Sequence, residues 1–148
     1  MPDSANDGVA GPRHRAREAA LQALYLWEIG RVTPEQAIGV YFREHAADAE
    51  DSVRAFATAI VTGTVEDLAA LDALISAHSQ HWRIERLAVI DRLVLRLAAW
   101  ELRHEPETPP AVVINEAVEL ARRFGTDDSV RFVNGVLDAI RRGLEAGG

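Results

Sequence analysis

The chain has 148 residues, 48% hydrophobic and 26% charged, long enough for one domain with a sizeable core. Its net charge of −7 argues against non-specific nucleic-acid binding. The absence of cysteine excludes disulfides, thiolate metal sites and a cysteine nucleophile.

No apolar run reaches the ~18 residues that a membrane span needs. The opening MPDSANDGVAGP is polar and lacks the apolar stretch of a secretion signal. A cytoplasmic location is therefore expected, with residues 1–11 a disordered lead-in and residues 12–148 a single domain. Every basic residue is arginine, a planar fork suited to phosphate or carboxylate.

In chain order, the first helix is expected from about Pro12–Arg13 to just before Gly30. It opens with RHRAR, residues 13–17, three arginines and a histidine at the end of the helix that disfavours cations. At roughly 100° per residue, Ala16, Ala20, Ala23 and Trp27 share a core side. Arg15, Glu18, Gln22 and Tyr25 share the opposite, polar side. Arg13 and Arg17 project together on a third flank. A bound anion would relieve the mismatch with the helix dipole, and the first turn is expected to fray without one.

Thr33-Pro34-Glu35-Gln36 predicts a second helix with Thr33 as N-cap, Pro34 in the first turn and Gln36 closing a capping box. It should run to about Ala47. Residues 50–78 predict a third helical stretch, broken near Gly63. Residues 35–72 hold eight acids against two arginines. HWRIERL reads as a connector or helical turn.

The fifth helix is expected over 86–104. Val89, Ile90, Leu93, Leu97 and Trp100 form its core stripe, and Arg92, Arg96 and Arg103 a basic one. Asp91, Leu95, Ala98 and Leu102 form a second apolar face. That face either packs on another helix, with Asp91 at its wet edge, or meets another protein. The sixth helix, from about Pro110 to Phe124, carries a stripe of Val113, Ile114, Ala117, Leu120, Ala121 and Phe124 and is capped by Gly125. Phe124 either completes the core or covers a groove. Asn115 lies off that stripe, as a buried amide or a solvated one.

The seventh helix starts at Thr126–Asp127 and runs to about Gly143. Asp127 and Asp128 suit its positive end. Asp128 and Phe132 share one shoulder, with Gly135 nearby, where a glycine costs about 1 kcal/mol and suggests close approach of another backbone, a neighbouring helix sooner than a ligand. An aromatic ring, an acid and nearby arginines are suitable parts for single-stranded RNA: the ring stacks a base, the acid reads donor edges and arginines hold phosphates.

The five histidines are scattered, and HSQH at 78–81 lacks a third ligand, so no metal is expected. There is no phosphate loop, nucleophile elbow or dinucleotide fingerprint. No cofactor or catalysis is expected. The fold class is all-α, six or seven helices.

The segments RHRAREAALQALYLWEIG, AVIDRLVLRLAAWEL and VINEAVELARRFGTDDSVRFVNGVLDAI resemble the NusB family of bacterial transcription antitermination factors over about residues 12–142. The resemblance implies two small helical subdomains and no enzyme activity. It implies binding of the boxA element of ribosomal-RNA leader transcripts together with NusE, a small-subunit ribosomal protein, within the RNA polymerase antitermination complex. Carried over by position, Arg13, His14, Arg15, Arg17, Phe124, Asp128 and Phe132 would face RNA. Tyr25, Glu18 and Asp91 would face NusE. His14 interrupts a basic string that is often longer in the family.

Two alternatives accompany this reading. One is a homodimer through the second face of the fifth helix. The other is an RNA-recognition arm, as in the NusB-like N-terminal part of some rRNA cytosine methyltransferases. Those enzymes need a downstream Rossmann-like domain, for which the chain's end at Gly148 is expected to leave no room.

Overall fold

The computed structural model describes residues 11–80 and 83–147. Seven α-helices stand among the described residues: α1 Pro12–Gly30, α2 Pro34–His45, α3 Asp51–Glu66, α4 Leu68–His78, α5 Val89–His104, α6 Pro110–Phe124 and α7 Asp127–Gly147. A single 3-10 turn, Ile84–Arg86, precedes α5. The expected disordered lead-in lies outside the described residues, apart from Gly11, the N-cap of α1. His81 and Trp82 also lie outside them.

The chain forms two compact units, one ending at Val65 and one beginning at Glu66. In the first, α1 packs against α2. Leu21 and Leu24 of α1, Ala37 and Phe42 of α2, and Phe56 and Ile60 of α3 are buried. The α2 start follows the sequence signal closely. Thr33 Oγ1 accepts from the Gln36 backbone N–H at 3.1 Å, and Gln36 Oε1 accepts from the Thr33 N–H at 3.0 Å. Two of the four donors that a helix start leaves unpaired are thereby satisfied.

In the second unit, α5 packs against α4, α6 and α7, and α7 also packs against α4 and α6. Leu71, Ile75, Leu93, Leu97, Leu120, Leu137 and Ile140 are fully buried. These positions recur at the three- and four-residue spacing of a helix face.

Several expectations change. The break in the 50–78 stretch falls at Asp67, not near Gly63, which stays helical. The cause is tertiary. Asp67 Oδ2 accepts from His104 Nε2 at 2.9 Å and lies 3.9 Å from an Arg103 guanidinium nitrogen. Trp27 is half-buried rather than core, while Leu21 and Leu24 are fully covered. Asn115 is exposed.

The second face of α5 is spent within the chain. Leu95 and Ala98 are buried, while Asp91 and Leu102 at its edges are half-buried. The basic stripe of α5 divides, with Arg92 half-buried and Arg103 exposed. Arg96 is buried, and its Nε and Nη2 donate to the two carboxylate oxygens of Asp72 at 2.8 and 2.9 Å.

Gly125 ends α6 without entering the left-handed region, at φ −108°. Its need for glycine is spatial. A β carbon there would sit 2.7 Å from Ser129 Oγ and 2.9 Å from the Ala121 carbonyl oxygen. Ser129 occupies that space because it caps α7. The Thr126 N–H donates to Ser129 Oγ at 3.1 Å, and the Ser129 N–H donates to Thr126 Oγ1 at 3.3 Å. Asp127 and Asp128 supply first-turn charge instead of the cap.

Candidate functional site

The first candidate surface grows from the start of α1. Pro12 occupies the first turn, where its missing N–H costs nothing. No acid stands in that turn, so the arginines need compensation from elsewhere. The fold provides it. The Arg13 guanidinium carbon lies 3.7 Å from the centre of the Phe56 ring, and that of Arg17 lies 5.6 Å from it. Arg15 donates from Nη2 to Glu50 Oε1 at 2.6 Å. Thus the densest positive charge of the chain is held by α3 and the segment before it.

The arrangement separates the basic residues. Arg13 and Arg15 are exposed. Arg17 is only 4% exposed, which corrects the expectation that it faces RNA. The same 3.6-residue pitch that brings Arg17 under Arg13 also carries it inward. His14 Nε2 lies 3.2 Å from Glu18 Oε2, and both side chains are largely covered. Glu18 is therefore engaged inside its own helix. Tyr25, two turns along the same stripe, is exposed. Beside Arg15 and Glu18 opens a groove of about 490 Å³ whose walls include Tyr41, His45, Asp48 and Glu50.

The second candidate surface surrounds the α6–α7 junction. Phe124 is half-buried on the last turn of α6, with the Arg123 guanidinium carbon 5.1 Å from its ring centre. Asp128, in the first turn of α7, is about 90% exposed at its side chain and pairs with Arg131 at 3.0 Å. Phe132, one turn on, is half-buried and lines a cavity of about 320 Å³. Gly135 lines it too, and apart from its chain neighbours and its own helix backbone no atom of the described residues lies within 4 Å of where its β carbon would stand. The expected close approach of a neighbouring helix is therefore absent. That helix was inferred from the cost of glycine alone, and cost does not say what comes near.

Asp91 stands alone in its group. It lies in the first turn of α5, half-buried, and its Oδ1 is covered without a hydrogen-bond partner among the described residues. Among the described residues no group of three or more histidines or acids could hold a metal ion. No helix among them is long and apolar enough to cross a membrane.

Comparison with known proteins decides the family. The NusB family model matches residues 14–142. It belongs to the NusB family.

A transcription antitermination protein NusB from Sorangium cellulosum is 49% identical over 134 residues, covering 90% of this chain and 94% of its own. The NusB of Solibacter usitatus is 46% identical over 130 residues, 88% of each chain. Among solved structures, T. maritima NusB aligns with a TM-score of 0.82 at 39% identity, over 88% of this chain and 90% of its own. A complex of antitermination factors NusB and NusE with double-stranded RNA aligns with a TM-score of 0.82 at 27% identity, over 89% of this chain and 97% of the other. Membership in the NusB family assigns the chain to transcription antitermination rather than catalysis.

Sequence reasoning missed Phe56 and Glu50, which hold the arginines of this NusB-family chain. It also missed Gln80 and Arg142, which share the cavity of Phe132. Nothing in their spacing to Arg13 or Phe132 signals these contacts. Each depends on which helices pack together.

Proposed function

We propose that the chain is an RNA- and protein-binding adaptor of transcription antitermination, taking boxA-type RNA of ribosomal-RNA leaders together with NusE. The observation that carries this is family membership over nearly the whole chain, joined to a solved relative held with NusE and RNA. The exposed guanidinium groups of Arg13 and Arg15 offer phosphate contacts, with His14 beside them. Phe124, Asp128 and Phe132 offer rings and an acid for bases. Tyr25 and Glu18 of the first unit, and Asp91 of the second, are each proposed to contact NusE. Such an adaptor works where RNA polymerase does, in the cytoplasm.

Two phosphate contacts by Arg13 and Arg15 give a salt slope of about −1.4 on single-stranded RNA. Glu50 competes for Arg15, so affinity without NusE should be modest. The test is a titration of single-stranded boxA RNA, the same sequence as a duplex, and a scrambled strand, with and without NusE, across salt. The expected result is a preference for boxA that NusE enhances. Equal binding of boxA and scrambled RNA in the presence of NusE overturns the reading.

A further inference from the structure

The three arginines that open α1 are held in different ways. Arg13 lies against the Phe56 ring, a neutral partner. Arg17 is 4% exposed, too deep for an anion arriving from outside. Arg15 is both exposed and held by a carboxylate, since its Nη2 donates to Glu50 Oε1 at 2.6 Å. Carboxylate and phosphate take a guanidinium by the same charge-assisted hydrogen bonds. Glu50 and an RNA phosphate are therefore direct rivals for Arg15.

Glu50 is presented by a braced segment. Residues 46–50 join the end of α2 at His45 to the start of α3 at Asp51. Arg54 of α3 reaches back to them. Its Nη2 donates to the Ala47 carbonyl oxygen at 2.6 Å and its Nε to the Ala49 carbonyl oxygen at 3.3 Å. The Arg54 guanidinium carbon lies 4.8 Å from the ring centre of the buried Phe42. Within the segment the Ala49 N–H donates to the Ala46 carbonyl oxygen at 3.0 Å, and the Arg54 N–H donates to that of Glu50 at 3.1 Å. One arginine thus ties the segment to α2 and α3 together. The backbone that carries Glu50 is set in advance, so pairing with Arg15 needs little further ordering.

The pair also draws Arg15 toward ground that RNA avoids. The groove beside it is lined by Glu18, Asp48 and Glu50, three carboxylates against the one guanidinium of Arg15. A phosphate that follows Arg15 there meets like charge, which is costly. RNA must pull Arg15 away instead. With side chains 47% and 63% exposed, the pair is a wet one of small net value. It can yield to RNA that other contacts already hold.

We propose that Glu50, on a segment braced by Arg54, is a built-in competitor for Arg15, an autoinhibitory contact that lowers the affinity of the chain for RNA. It rests on the RNA-binding reading above and names a regulation of that surface. Arg15 would meet phosphate rather than base, so the penalty falls alike on boxA and on unrelated strands. Its effect is to keep the chain off RNA that offers phosphates and nothing else.

The test uses the full chain with NusE present and labelled single-stranded RNA, boxA and scrambled. Glu50→Gln, Arg15→Gln and the double variant form a cycle. Asp48→Asn removes the same charge from the same groove, two positions away, and serves as the control. All four changes are at exposed side chains, and circular dichroism checks that the fold is intact. The expected result is that Glu50→Gln binds both strands about two- to fivefold tighter, a larger gain than Asp48→Asn gives. With Arg15→Gln in place, the gain from Glu50→Gln should fall to that of the control.

A gain no larger than the control's, or one that persists without Arg15, makes Glu50 an ordinary surface charge. It overturns the competitor and leaves the RNA-binding reading standing. Weaker RNA binding in Glu50→Gln overturns it too, because the pair then presents Arg15 to RNA. A chain that binds neither strand in any variant overturns both.

Discussion

Arg96 and Asp72 meet as fork on fork, two N–H donors to two carboxylate oxygens, with the arginine side chain 8% exposed and the aspartate 24%. Geometry of this kind is the favourable case for a covered ion pair. It joins α4 to α5 inside the second unit. Removing one partner is far worse than replacing both, because a buried cation then loses the carboxylate that neutralises it.

Asp72→Ala should therefore destabilise the second unit by on the order of 3 kcal/mol, the low end for a broken buried pair because Asp72 keeps some water. Urea unfolding followed by circular dichroism measures it. A loss below about 1 kcal/mol would place the pair among ordinary surface bridges.

Phe56→Leu keeps an apolar side chain beneath α1 but removes the ring that Arg13 and Arg17 lie on. Each cation–π contact at a partly wet site is worth about 0.5–1 kcal/mol, so a total loss of roughly 1–2 kcal/mol is expected. Hydrogen exchange at the amides of residues 15–18 should speed up in parallel. If exchange there is unaltered, the ring does not hold the first turn.

Two glycines on α6–α7 should answer alanine with opposite signs. Gly125→Ala drives a β carbon against Ser129 Oγ and the Ala121 carbonyl, which cannot both retreat. It should cost about 1–3 kcal/mol. Gly135→Ala meets open space and should stabilise by about 1 kcal/mol. The urea midpoints of the two variants, at unchanged m-value, check the pair of signs.

Asp91→Leu separates stability from recognition. It removes a covered carboxylate oxygen without a partner among the described residues, a defect worth about 1–3 kcal/mol. It also forfeits roughly 0.3–1 kcal/mol from an acid at a helix start. Net stability should hold or rise slightly, while NusE binding falls. Calorimetry with NusE checks the second half, and undiminished affinity would remove Asp91 from the partner surface.

Much of this architecture was legible in the residues. The α2 cap could be read from four letters because capping is local and its partners lie three positions apart. The core stripes of α5 and α6 were legible because burial repeats with the helix. What stayed hidden was long-range. Asp67 ends α3 by reaching a histidine 37 positions on. Arg96 shows in the sequence only as part of a basic stripe, because its partner is 24 positions away. At the candidate site, Arg13 and Phe132 were visible as residue types in suggestive places. Arg17 was misjudged because a charged letter says nothing of depth. Gly135 was read as a packing glycine because its cost is local and its surroundings are not.

The ring beneath Arg13 has a kinetic consequence. A free arginine side chain carries about 2 kcal/mol of rotamer entropy, most of it lost when the fork docks on a phosphate. Arg13 has already surrendered part of that freedom to Phe56, with its guanidinium carbon 3.7 Å from the ring centre. Capture there needs less ordering at the moment of encounter. Replacing the ring should therefore slow association with RNA more than it hastens release.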